Sequence, residues 1–185
     1  MNEKDQIAPL LEIKDLSVRF STDDGEVEAL DKVSFGINPG QTVGVVGESG
    51  CGKSVTAYSI MRLLPQPMGM ITNGSILFQG KNLLDLGTEE MQGIRGNEIG
   101  MIFQEPMNAL NPVQKIGNQL TEVFYLHQEM NDHQAWSNSV GMLESVGIPS
   151  PENRMHEYPH QLSGGMRQRV VIAMALACKP KIIIA

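Results

Sequence analysis

The sequence predicts an α/β fold with a mixed sheet, antiparallel strands on its N-terminal side and a helical lobe inserted into the α/β core. Three observations carry this. Residues 42–46, Thr-Val-Gly-Val-Val, form a short apolar run that leads into the glycine-rich octet 47–54 and then into a helical pattern. Ahead of that run, apolar residues alternate with polar ones at a period of two, as in half-buried antiparallel strands. Residues 113–147 instead place apolar residues at i, i+3, i+4 and i+7, the period of an amphipathic helix.

Bulk composition sets the frame. A chain of 185 residues that is 41% hydrophobic is long enough for one domain with a real core. The net charge of −7 argues against a phosphate-neutralising surface, so nucleic acid is not an expected partner. No window offers the ~18 uninterrupted apolar residues of a membrane span. The start, Met1-Asn2-Glu3-Lys4-Asp5, has no signal-peptide pattern, and a cytoplasmic location is expected. Two cysteines, Cys51 and Cys178, do not make a disulfide or metal framework. No histidine pair among His127, His133, His156 and His160 keeps a supported metal-ligand spacing, so all four read as surface or structural.

Taken in order, residues 11–20 alternate as Leu11, Ile13, then Leu16, Val18, Phe20, and the slip at Lys14-Asp15 suggests a bulge in a strand near the sheet edge. Thr22-Asp23-Asp24-Gly25 is a turn, after which Val33, Phe35 and Ile37 resume the alternation. Residues 42–46 read as a parallel strand buried on both faces, with Pro39-Gly40 as the turn before it. Val55, Ile60, Leu63 and Leu64 then recur at helical spacing until Pro65 ends the pattern. A Pro-, Gly- and Met-rich connection over 66–72 leads to a short strand at 74–78. Thr88 is the N-cap of a brief helix whose first turn holds Glu89 and Glu90. Residues 99–103 form another short strand that delivers Gln104 at its carboxyl end, where ligands of open α/β sheets collect. Two amphipathic helices follow over 113–147. A longer one, apolar nearly all round and therefore largely buried, is expected from Met166 to about Cys178, before a final strand over 181–185.

Two stretches carry chemistry. Gly47-Glu48-Ser49-Gly50-Cys51-Gly52-Lys53-Ser54 fits the phosphate-loop pattern, between strand and helix as that pattern requires. Its glycines let backbone N–H groups turn inward around a polyphosphate. The Lys53 ammonium can reach the β- and γ-phosphates, the Ser54 hydroxyl can take a Mg²⁺ coordination position, and the helix start presents its positive end. A nucleoside triphosphate is the expected ligand. Cys51 in the loop reads as a small filler residue or an alkylation-sensitive thiol. The other stretch is Leu162-Ser163-Gly164-Gly165-Met166-Arg167-Gln168-Arg169: an N-cap serine and two glycines at a helix start, a second anion-compatible terminus. Taken alone, Phe20 serves core packing or base stacking, Gln104 is a polar strand end or a ligand, and Ser-Gly-Gly is a helix cap or a binding turn.

In that order, the phosphate loop, the strand-end Gln104 with its helical lobe, and the stretch 162–169 resemble the nucleotide-binding subunit of ABC transporters, a P-loop NTPase fold. The resemblance covers residues 10–185. The wording of 103–112, Phe-Gln-Glu-Pro-Met-Asn-Ala-Leu-Asn-Pro, and of 158–169 is similar to the dipeptide, oligopeptide and nickel importer ATPases. The wider superfamily has Gln where Met166 stands, and that importer subfamily often has Met. The resemblance implies ATP and Mg²⁺ as cofactors, Phe20 stacking on adenine, and Gly47 to Ser54 with Val55 around the phosphates. Gln104 would sense Mg²⁺ and the attacking water, making Lys53 and Gln104 the catalytic candidates and Ser54 and Gln104 the metal ones. Ser163, Gly164 and Gly165 would bind the γ-phosphate held by the loop of a second ATP-binding protomer, identical or paralogous. It further implies an integral membrane permease as partner, a substrate-binding protein indirectly, and a peripheral place on the cytoplasmic face of the membrane. Residues 10–104 and 166–185 would be the α/β core with its β subdomain, and 105–165 the helical lobe ending in the signature motif.

The family pattern continues after an apolar strand such as 182–185 with an Asp for Mg²⁺, a Glu that polarises water and later a His. The sequence stops at Ala185. It is therefore expected to be a partial copy of the domain that binds nucleotide weakly at best, has little or no turnover and leaves an apolar sheet edge exposed. The competing readings are a non-transport ABC ATPase, whose coiled-coil or zinc insertions are not seen, and a non-catalytic nucleotide-binding module.

Overall fold

The computed structural model describes residues 8–103 and 109–185. The alternating stretch becomes a hairpin: β1 (Leu11–Thr22) and β2 (Gly25–Ile37) pair antiparallel across the turn at Asp23-Asp24. The Thr22 hydroxyl donates to the Gly25 carbonyl at 2.7 Å and closes that turn. β3 (Gly69–Phe78) pairs with the other side of β1, and β4 (Lys81–Asn82) pairs with β3, giving the order β2-β1-β3-β4. β1 is thus an inner strand rather than one near the edge. Its residues Leu11, Ile13, Leu16 and Val18 are buried, which a strand flanked on both sides achieves. The slip at Lys14-Asp15 is a bulge, with register shifts between Ile13 and Leu16 and a positive φ of 47° at Asp15. The Asp15 N–H donates to Ser34 Oγ at 2.7 Å, and its carbonyl accepts from the Asn73 side chain at 3.0 Å. β3 begins at Gly69, so residues 69–72, read above as connection, belong to the strand: Phe20 and Arg19 pair with Gly69 and Met70. Pairing partners on β1 outweigh the low strand propensity of that stretch.

The expected strand over 42–46 does not form. These residues carry no ladder among the described residues, and Val43, Val45 and Val46 are 37%, 53% and 91% exposed. A parallel strand is made by its neighbours, and no described strand pairs with this one. The helical pattern after the loop is α1 (Lys53–Ile60), which buries Ile60, with Met61 and Leu64 buried beyond it. A 3₁₀ turn (Leu83–Asp85) precedes α2 (Thr88–Ile94). Thr88 is already helical rather than the cap. The Gly87 carbonyl accepts from the Met91 N–H at 3.1 Å, while Glu90 reaches back to the Gly87 N–H at 2.9 Å.

The chain divides into two compact units, one ending at Met91 and the other beginning at Gln92. In the second, β5 (Ile99–Met101) and β6 (Ile182–Ile184) run parallel with Ile99 beside Ile182. The helices are α3 (Ile116–His127), α4 (Asp132–Ser145), α5 (Pro151–Met155) and α6 (Gly164–Leu176). Asn131 caps α4 in a reciprocal capping box with Gln134. Ile116, Leu120, Leu143, Met155, Val170 and Val171 form the centre of one apolar cluster. α6 starts and stops two residues earlier than expected, and Leu176 is 36% exposed, so this helix is buried along one side rather than all round. Gln104 lies outside the described residues. The fold is mixed α/β with an antiparallel N-terminal sheet.

Candidate functional site

The loop 47–52 is built by its glycines and closed by its lysine. At Gly52 the chain turns into α1 with φ 92°, and a Cβ there would stand 2.5 Å from Leu30 Cδ2 and 2.8 Å from the Ala29 carbonyl oxygen. Only glycine satisfies both the left-handed backbone and the close approach to β2. The Gly52 carbonyl then accepts from the Thr56 N–H at 2.9 Å and from the Thr56 hydroxyl at 3.0 Å, fixing the first helical turn. On the leading side, the Cys51 side chain crosses Gly47, where a Cβ would meet Sγ at 2.5 Å.

The Lys53 ammonium donates to the Gly47 carbonyl at 2.8 Å and to the Glu48 carbonyl at 2.7 Å, with Cys51 Sγ at 3.5 Å. It thereby ties the start of α1 back to residues 47 and 48. Helix geometry leaves the first N–H groups of α1 without intrahelical acceptors. No side chain caps this end, and no acidic residue stands in its first turn. Backbone donors, the positive end of the helix and the ammonium are all groups compatible with an anion. Ser54 is exposed in that first turn, and Glu48, Ser49 and Gly50 are exposed along the loop, while Val55 is half-buried. The loop supplies donors and a hydroxyl.

Phe20 belongs to the same compact unit. It is half-buried on β1, directly opposite Val27 of β2 and Gly69 of β3. β2 also carries Ala29 and Leu30, against which Gly52 rests, so one strand links the ring to the loop.

The second stretch lies in the other unit. Ser163 caps α6 with extended backbone (φ −64°, ψ 160°), and its Oγ accepts from the Met166 N–H at 3.3 Å. Gly164 and Gly165 are exposed, and a Cβ on either would meet nothing within 4 Å. No acid stands in the first turn of α6, so this terminus also suits an anion. Spacing alone did not reveal Arg169, whose guanidinium donates to the carbonyls of Val146 at 3.0 Å and Gly147 at 2.9 Å and so ties α6 to the end of α4. Partners so far apart in sequence leave no local signal.

The family profile described as "ABC transporter" matches residues 30–185, a span that holds both glycine-rich helix starts. The chain belongs to the ABC transporter family. Its relatives include the oligopeptide transport ATP-binding protein OppD of Bacillus subtilis (strain 168). It is 53% identical over 180 residues, which is 97% of this chain and 50% of the relative. The dipeptide transport ATP-binding protein DppD of the same organism is 52% identical, covering 95% of this chain and 52% of its own length. OppD of Escherichia coli (strain K12) is 49% identical, covering 97% and 53%. The chain thus spans about half the length of these relatives. Among solved ABC structures, the dimeric post-hydrolysis state of the ATP-binding cassette MJ0796 bound to ADP and Pi has a TM-score of 0.82 at 27% identity. That match covers 94% of this chain and 72% of the other. The fold is accordingly that of an ABC ATPase cassette.

Proposed function

We propose that the chain is the nucleotide-binding, energy-coupling part of an ABC importer for di- or oligopeptides. The observation that carries this is the Lys53 ammonium held over the Gly47 and Glu48 carbonyls, at a helix start with no acid in its first turn. Those groups suit a nucleoside triphosphate, ATP in this family. Peptide transport is supported by the names of relatives at about half identity.

Phe20 holds the base, Gly47 to Ser54 with Val55 hold the phosphates, and Ser54 with Gln104 holds Mg²⁺. The donor set fits that ion, a hard cation usually bound by one or two protein oxygens together with the nucleotide's phosphates. Ser163, Gly164 and Gly165 form the second wall of a composite site completed by another ATP-binding protomer, identical or paralogous. Two anion-compatible helix starts in one chain suit a head-to-tail pair, and the ABC neighbour of solved structure is described as dimeric. An integral membrane permease is the partner that receives the motion, with a substrate-binding protein acting through it, so the chain works peripherally at the cytoplasmic face. Residues 105–165 serve as the helical lobe between the α/β segments 10–104 and 166–185. Among the described residues no helix is long and apolar enough to cross a membrane.

The Asp, Glu and His that the family pattern uses for Mg²⁺, water and the γ-phosphate are not among residues 1–185, so these residues bind the triphosphate weakly and with little turnover by themselves. The test is calorimetric titration of MgATP into the protein and into Lys53→Ala, alongside a phosphate-release assay. Binding that Lys53→Ala weakens by at least about tenfold, roughly the 1.4 kcal/mol of one lost charge-assisted contact, supports the reading. Equal binding by both proteins refutes it, and sustained Lys53-dependent phosphate release refutes the low turnover.

A further inference from the structure

We propose that Thr56 is a positioning residue of the phosphate loop: its buried hydroxyl holds the Gly52 carbonyl in the helix and so keeps the Lys53 backbone N–H turned toward a polyphosphate, a role that rests on the reading of residues 47–54 as a triphosphate site. α1 buries Thr56, Ser59 and Ile60, and two of these carry hydroxyls. Thr56 is 6% exposed and Ser59 0%. A hydroxyl taken out of water costs free energy unless it is bonded. Each of these donates to the carbonyl four residues earlier, Thr56 to Gly52 at 3.0 Å and Ser59 to Val55 at 2.7 Å. Such back-bonding satisfies the hydroxyl but adds nothing to the helix, which it slightly destabilises and tends to bend.

The two bonds differ in what they hold. The Val55 carbonyl belongs to the body of α1, whereas the Gly52 carbonyl belongs to the peptide that joins the loop to the helix. Gly52, at φ 92° and ψ 3°, has no Cβ, so nothing of its own restrains the rotation of that peptide. The restraint comes from its neighbours. Ala29 and Leu30 of β2 back the glycine on one side. On the other, the Thr56 N–H at 2.9 Å and the Thr56 hydroxyl at 3.0 Å both donate to its carbonyl.

A trans peptide points its N–H opposite to its carbonyl, and the bond between Gly52 and Lys53 is trans. With the carbonyl turned into the helix, the Lys53 N–H leaves α1 at its N-terminal end, where helix geometry gives it no intrahelical acceptor. Rotation of this one peptide would replace that donor with the negative end of a carbonyl, which repels a phosphate. Two donors on the Gly52 oxygen resist the rotation better than one. The Lys53 side chain is held by the Gly47 and Glu48 carbonyls; Thr56 fixes its main chain.

Calorimetric titration of MgATP and of magnesium tripolyphosphate into the full chain and its variants tests this, with the NMR shift of the Lys53 amide on ligand addition as a second readout. Tripolyphosphate has neither base nor sugar and reports on the loop alone. Thr56→Val removes the donor and keeps the branched shape. It should weaken both ligands about three- to tenfold, the scale of one net hydrogen bond, and shrink the shift of the Lys53 amide. Thr56→Ser, which keeps the donor, should recover most of that loss. Ser59→Ala removes an equally buried hydroxyl further along α1; it should change the melting temperature and leave both affinities within about twofold of the parent, which separates positioning from a merely structural role. Thr56→Ala takes the place of Thr56→Val if circular dichroism shows the valine variant unfolded. The proposal is overturned if Thr56→Val binds as tightly as the parent, if Thr56→Ser is as weak as Thr56→Val, or if Ser59→Ala weakens both ligands as much. Lys53-dependent binding that is indifferent to Thr56 sinks this proposal alone, whereas a parent that binds neither ligand, with Lys53→Ala without effect, overturns the reading of the loop and this proposal with it.

Discussion

Gly52 and Gly50 separate two reasons for a glycine in one loop. Both have positive φ, 92° and 83°, but a side chain at 52 meets Leu30 and the Ala29 carbonyl while one at 50 meets nothing within 4 Å. Gly50→Ala should therefore cost only the left-handed backbone, about 1–2 kcal/mol. Gly52→Ala adds a clash with β2 and should cost about 3 kcal/mol or more, because a backbone oxygen cannot swing aside. Chemical denaturation of the two variants in parallel checks the order, and equal losses would contradict it. The loop residues themselves were legible in the sequence, because backbone geometry for a polyphosphate demands glycine at set spacing. The contacts of Lys53 were not, since its acceptors are backbone carbonyls and carry no residue identity.

At the scale of elements, periodicity located the strands and helices well wherever each element makes its own case. The hairpin of β1 and β2 and the pair α3 and α4 follow from period two and period 3.6. Ends were harder: β3 begins early because β1 offers pairing partners, and α6 begins at Gly164 because Ser163 caps it there. The junction between α6 and α4 depends on Arg169, whose two hydrogen bonds hold the carbonyls of Val146 and Gly147 just beyond the end of α4. A guanidinium there also complements the negative end of α4. Arg169→Ala should cost about 1 kcal/mol, kept low by the exposure of the site. Arg169→Lys should restore only part of it, since an ammonium lacks the planar fork. Urea melts of the two variants measure this; a lysine variant as stable as the parent would show that charge alone matters.

For the molecule as a whole, the antiparallel sheet, the helices of the second unit and both glycine-rich helix starts could be read from the chain, since each is written in local pattern. The fate of residues 42–46 could not. Its apolar run is the pattern of a doubly covered strand, yet pattern states only what a segment can join. The same limit applies to Phe20: the sequence offered packing or stacking, and only the register with Val27 and Gly69 shows which neighbours share its face.

The unladdered ribbon ahead of the loop has a kinetic consequence. With Val46 91% exposed and no ladder among the described residues, the amides of 42–46 have no sheet to shield them from solvent, whereas those of α1 beyond Thr56 are held in helical bonds. Hydrogen–deuterium exchange should thus break sharply across a few residues, fast before Gly47 and slow after Thr56. A triphosphate seated at the loop should move that break toward the N-terminus by slowing Gly50 to Val55, without slowing residues 42–46. A ribbon that exchanged as slowly as α1 in the free protein would show that something covers it in solution.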